Sequence, residues 1–89
     1  MNTKVLLVFY NTKSTVWARV EEIINTYTPS DIEIQFIDTE HNEKILKDYG
    51  ITSKITPYII LLDNGVEISR DYGALTADYF KRFISVVWR

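Results

Sequence analysis

The sequence predicts a three-layer α/β domain, a four-stranded mixed sheet with helices on both faces, and three observations carry that prediction. Two short runs, "VLLVFY" and "YIILL", are continuously apolar, as strands buried on both faces must be. Stretches with apolar residues three and four positions apart lie between and after the predicted strands, the pattern of helices with one buried face. The tripeptide "DNG" at 63–65 joins two apolar segments and is a strong hairpin signal.

The first strand is "TKVLLVFY", residues 3 to 10, and a helix follows over about 14 to 27. Val16, Val20, Ile23, Ile24 and Tyr27 form its inner stripe, with Glu21 and Glu22 opposite, and Pro29 ends it. In "DIEIQFID" the residues Ile32, Ile34 and Phe36 alternate with Glu33 and Gln35, so this strand has one wet face and belongs at a sheet edge. "TEHNEKILKDYGI" reads as a short helix with Ile45, Leu46 and Tyr49 inward, a Glu43–Lys47 pair four apart, and a stop at Gly50 that Ile51 covers. "PYIILL", 57–62, is the second central strand, and the hairpin returns through "VEISRDY", where Val66 and Ile68 are expected to face the core. Thr76 caps a last helix over about 77 to 88, with Leu75 and Phe80 placed as a hydrophobic staple and Phe80, Phe83, Ile84 and Val87 as its buried stripe.

Strands one and three are apolar on both faces and belong in the middle; strands two and four are apolar on one face and belong at the edges. A right-handed crossover lays strand two parallel to strand one, and the hairpin sets strand four beside strand three. The predicted sheet order is therefore 2-1-3-4.

Eighty-nine residues make one domain, 1–89, since a second core would leave each half too small to offset conformational entropy. Ten Lys and Arg against twelve Asp and Glu, interspersed, leave no basic footprint for nucleic acid. The apolar runs are far shorter than the roughly 20 residues that span a bilayer, and "MNTK" lacks a signal peptide's apolar region, so a cytoplasmic protein is expected. There is no cysteine and one histidine, His41, which excludes disulfides, thiolate nucleophiles and sulfur-based zinc sites. "DTEHNE" holds Asp38, Glu40, His41 and Glu43, but acids opening a helix are explained by its dipole, and no metal is implied.

The local strings carry a resemblance. "FIDTEHNEKILKDYGITSKITPYIILLDNG" and "RDYGALTADYFKRFI" resemble the corresponding stretches of the thioredoxin-like superfamily, with which the predicted strand order agrees. The resemblance implies a minimal thioredoxin-like three-layer sandwich, and a cis peptide bond between Thr56 and Pro57 facing the position of a Cys-x-x-Cys motif. That motif corresponds here to "NTKS", 11–14, or to "STVW", 14–17, and neither contains sulfur. Thiol–disulfide exchange by the family's mechanism is therefore impossible. Ser14 has no histidine near it in sequence and Lys13 would need a strongly lowered pKa to serve as its base, so Thr12, Ser14 and Thr15 are read as helix caps rather than nucleophiles. Trp17 is either packed on the helix's inner face or an exposed anchor for a partner.

The resulting expectation is a redox-inactive module with a binding groove formed by Tyr10, Asn11, Thr12, Lys13, Ser14, Trp17, Lys54, Thr56 and Pro57, which receives an extended segment of a protein partner. The second reading is a glutathione-binding transferase or carrier that uses Tyr10 or Ser14 in place of the cysteine; against it, "YGALTADYF" lacks the paired glycines and following aspartate of glutaredoxins. A monomer or weak homodimer is expected, the latter through Val87 and Trp88. The protein should leave the rate of disulfide reduction by dithiothreitol at background in an insulin-turbidity assay; a rate above background contradicts the reading.

Overall fold

The computed structural model describes residues 4–51, 57–73 and 75–85. Strand β1 (Lys4–Tyr10) leads to helix α1 (Trp17–Tyr27), β2 (Ile32–Asp38), α2 (Glu43–Asp48), β3 (Tyr58–Asp63), β4 (Val66–Tyr72) and α3 (Ala77–Ser85). The sheet order is β2-β1-β3-β4, with β1 parallel to β2 and antiparallel to β3, and β3 antiparallel to β4.

Alternation along the central strands divides the interior in two. Leu6 and Val8 of β1, with Ile59 and Leu61 of β3, meet Val20, Ile23 and Ile24 of α1 and Phe80, Phe83 and Ile84 of α3. Leu7 and Phe9, with Ile60, turn to the other face and meet Leu46 and Ile51 at α2. Between them the two clusters make β1 and β3 unable to occupy an edge, because either outer face would be left in water. Phe80 and Phe9 are fully buried, so these two rings dominate their clusters.

The turns follow the chemistry read from the sequence. Asn64 and Gly65 both have positive φ, 53° and 82°, as a type I′ hairpin turn requires. At the end of α2, Gly50 adopts φ 69°, and the amides of Gly50 and Ile51 donate to the carbonyls of Lys47 and Leu46 at 3.0 and 2.8 Å. This is a Schellman stop, with Ile51 and Leu46 in one apolar cluster. The Tyr79 amide donates to Thr76 Oγ1 at 3.1 Å, so Thr76 does cap α3.

Several expectations are corrected. Helix α1 begins at Trp17 rather than near 14, with Val16 at its N-cap and no side-chain hydrogen bond there, so none of Thr12, Ser14 and Thr15 caps it. Glu43 and Lys47 form no ion pair among the described residues; Lys13–Glu40 and Arg70–Glu67 do, and His41 Nε2 lies 3.9 Å from Asp38 Oδ2. Val66 and Ile68 do not face the core: they are 64% and 40% exposed. The reason is a bulge. Leu61 stands opposite Ser69 but Leu62 opposite Glu67, which leaves Ile68 as an extra residue and breaks the two-residue period along β4. The bond between Thr56 and Pro57, and Val87 and Trp88, lie outside the described residues.

The α2 side of β4 is occupied by a side chain that periodicity does not reveal. Arg70 donates to both carboxylate oxygens of Glu67, to the Tyr49 carbonyl at 3.0 Å and to the Tyr58 hydroxyl at 3.4 Å, and its guanidinium lies 5.7 Å from the centre of the Tyr58 ring. It thus ties the C-terminal end of α2 to the hairpin. The hydrogen bonds from Arg70 hold the Glu67 carboxyl below its ordinary range, and those to Glu67 raise the guanidinium's pKa further above neutrality.

Two outcomes follow for stability, both read by urea unfolding. Thr76→Ala should cost about 1 kcal/mol, and Phe80→Ala about 3–5 kcal/mol. Because the Glu67 pKa is lowered on folding, its contribution is complete above the unfolded carboxylate value near about 4.3 and is lost as pH falls through the folded value. Both partners are about one-third exposed (33% and 37%), so solvent screening keeps that loss below about 1 kcal/mol. Arg70→Met should remove it from the pH profile.

Candidate functional site

The carboxyl end of β1 is where the chain's connections diverge. Helix α1, which follows β1, packs on one face of the sheet, and α2, which follows β2, packs on the other. A crevice outside the strand ends at such a point is where open α/β sheets place ligands. The register defines its floor. Tyr10 pairs with Asp38 of β2, and Phe9 stands opposite Tyr58, so one step further Pro57 falls beside Tyr10. The Thr39 amide donates to the Tyr10 carbonyl at 3.0 Å, and the Gly73 amide to the Pro57 carbonyl at 2.9 Å. Asp38, Tyr10, Pro57 and Gly73 therefore form the last row of the sheet.

Above that row stands the turn of residues 11–16. Asn11 organises it: its side-chain Oδ1 accepts from the Lys13 amide at 2.9 Å and its carbonyl accepts from the Ser14 amide at 2.9 Å. The Ser14 carbonyl in turn accepts from the Trp17 amide at 3.3 Å. Thr12 and Lys13 are exposed and Asn11 and Ser14 half-buried. Lys13 reaches Glu40 across the crevice at 3.4 Å, but its side chain is 81% exposed, so the pair contributes at most about 1 kcal/mol. The turn is held by its backbone rather than by this ion pair.

Trp17 is buried, 8% exposed. It stacks on Tyr10 with ring centres 4.8 Å apart and meets the edge of Phe36 at 6.0 Å. Of the two readings of Trp17, the packed one holds: its position beside Val16 does not force it outward, because the helix starts at Trp17 itself. Pro57 is also fully buried, so it offers a partner no side-chain surface. The structure thus brings together Tyr10, Asn11, Thr12, Lys13 and Ser14 at one sheet end, with Trp17 and Pro57 beneath them as support. Lys54 and Thr56 lie outside the described residues.

The acidic loop beside the turn is accounted for by its own hydrogen bonds. Asp38 Oδ1 accepts from the Glu40 amide, and the Asp38 carbonyl accepts from Asn42 Nδ2, both at 2.8 Å. Among the described residues there is no cluster of three His, Cys, Asp or Glu side chains that could hold a metal ion. None of the described helices is long and apolar enough to cross a membrane.

Sequence reasoning missed Phe36 and Thr39 at this end. Phe36, 41% exposed, extends the Tyr10–Trp17 stack to the sheet edge, and Thr39 is buried behind the turn. The apolar alternation of β2 contained the first signal; nothing in the sequence marked the second.

No family model matches the chain, and no curated protein matches it in sequence. Solved structures do. A mutant thioredoxin from Halobacterium salinarum superposes with a TM-score of 0.84 at 23% identity, covering 96% of this chain and 74% of the other. The protein Trxlp from Edwardsiella tarda gives 0.82 at 18%, covering 93% and 82%. A thioredoxin from Nicotiana alata gives 0.78 at 23%, covering 92% and 70%. The chain has the thioredoxin fold, and it contains no cysteine.

Replacing Tyr10 by Ala should strip the cover from Trp17. With Trp88→Phe as background, the emission maximum of the remaining tryptophan should move to the red, and stability should fall by at least the ~0.5–1.5 kcal/mol of an aromatic stack. Lys13→Ala should leave both unchanged.

Proposed function

We propose that this chain is a redox-inactive thioredoxin-like module that holds an extended segment of a protein partner in the crevice at the carboxyl end of β1. The single observation that carries the proposal is the conjunction of a thioredoxin fold with a turn that has no sulfur: the scaffold is kept and the nucleophile is missing. A hydroxyl does not replace it, because Ser14 and Thr12 are set in a turn organised by Asn11, and among the described residues no hydrogen bond joins either hydroxyl to the one histidine, His41, whose contact is with Asp38 at 3.9 Å. What the turn does offer is exposed polar surface beside a sheet end, which suits recognition of a peptide backbone.

In this reading Tyr10, Asn11, Thr12, Lys13 and Ser14 make the contacts, and Trp17 and Pro57 fix the surface from below. Lys54 and Thr56, expected from the sequence to belong to the groove, lie outside the described residues. Binding is non-covalent, so specificity rests on shape and hydrogen bonds, not on a mixed disulfide.

The test is selection of a random peptide library on the full chain, followed by amide-shift mapping with the enriched peptides. Shifts should cluster at Tyr10–Ser14 and Gly73, and Lys13→Glu should weaken binding by about fivefold or more, the scale of one lost polar contact. Failure to enrich any peptide, or shifts confined to another face, overturns the reading. Saturable shifts of the same amides by glutathione alone would replace it with the tripeptide-binding alternative.

A further inference from the structure

Between the turn at Asn11 and helix α2 lies a recess of about 610 Å³, on the opposite side of the sheet end from α1. Its floor is apolar, made by the remaining surface of Leu46 and Ile51. Glu40, Glu43 and Lys47 stand around it. Glu40 is already balanced by Lys13 at 3.4 Å. Glu43 and Lys47 are not paired with each other, although residues four apart on a helix, glutamate first, ordinarily are. Thr39 forms part of the wall; it is 2% exposed, and its hydroxyl has no hydrogen-bond partner among the described residues. Buried hydroxyls are normally satisfied, so this one marks a place where a polar group is wanted.

The wall therefore presents one uncommitted carboxylate and one uncommitted ammonium about one helical turn apart, over an aliphatic floor. A cation alone meets Lys47, and an anion alone meets Glu43. A ligand that carries both charges and an aliphatic group meets neither penalty. We infer that the recess binds an aliphatic α-amino acid as its zwitterion, the ammonium toward Glu43, the carboxylate toward Lys47 and the side chain on Leu46 and Ile51. The recess shares Asn11 with the peptide crevice, but the groups assigned to the amino acid, Glu43, Lys47, Leu46 and Ile51, take no part in the peptide reading, so either can fail without the other.

The experiment is an amide-shift titration of the full chain with L-leucine, L-leucinamide, which lacks the carboxylate, and N-acetyl-L-leucine, which lacks the ammonium. Leucine should give saturable shifts at Thr39, Glu43, Lys47 and Ile51 at millimolar concentration, and each truncated compound should bind about tenfold more weakly, the scale of one lost charge-assisted hydrogen bond. Glu43→Gln and Lys47→Gln should each weaken leucine by a similar factor, with the dispersion of the spectrum confirming the fold. Glu21→Gln, on the exposed face of α1, should not. Equal response to all three compounds, or shifts that stay linear with concentration, overturns the inference. Tighter binding of leucinamide than of leucine also overturns it, because it assigns the recess to the amino terminus of a peptide.

Discussion

The rest of the molecule depends on two strands that must be dry on both faces. Leu6 and Val8 point one way and Leu7 and Phe9 the other, and all four are at most 4% exposed. Such a strand needs a neighbour on each side and a helix on each face. That one requirement accounts for the sheet order, for the split of the core into two clusters, and for the fact that α1 and α3 share a face while α2 has the other to itself.

The smaller face is the more delicately held. Helix α2 has six residues, too few to be stable alone, and contributes one buried side chain, Leu46. Its stability comes from its ends: the Schellman stop through Gly50 and Ile51, and the Arg70 guanidinium on the Tyr49 carbonyl. Arg70 also meets Tyr58, and Tyr58 stacks on Tyr72 at 5.4 Å, so one long side chain links the helix end, the central strand and the edge strand. On the larger face no such device is needed, because Phe80, Ile24 and Val20 bury their full surface there. The contrast explains why aromatic truncation in α3 and loss of the arginine are expected to differ in magnitude: one removes burial, the other a partly solvated ion pair.

The same division shapes the carboxyl end of β1. A thioredoxin fold normally places reactive sulfur where β1 gives way to α1, but here the chain offers an Asn11-centred turn on an aromatic base of Tyr10, Trp17 and Phe36. Chemistry that depends on a thiolate cannot survive this replacement, whereas recognition by shape and hydrogen bonding can.

Sequence alone determined the central strands, the strand order, the Asn64–Gly65 hairpin, the Gly50 stop, the Thr76 cap and the exclusion of thiol chemistry, because each rests on a local rule: two-face burial, positive φ, a capping oxygen, or the presence of an element. Only the tertiary structure decided that Trp17 packs inward, that Pro57 is covered, that Ile68 bulges out of the ladder, and that Arg70 spans from β4 to α2. Those outcomes depend on register and on partners distant in the chain. One extra residue in β4 is enough to defeat the alternation that located β2, and no periodicity within a helix can say which neighbour, here Tyr10, will be waiting for an aromatic ring.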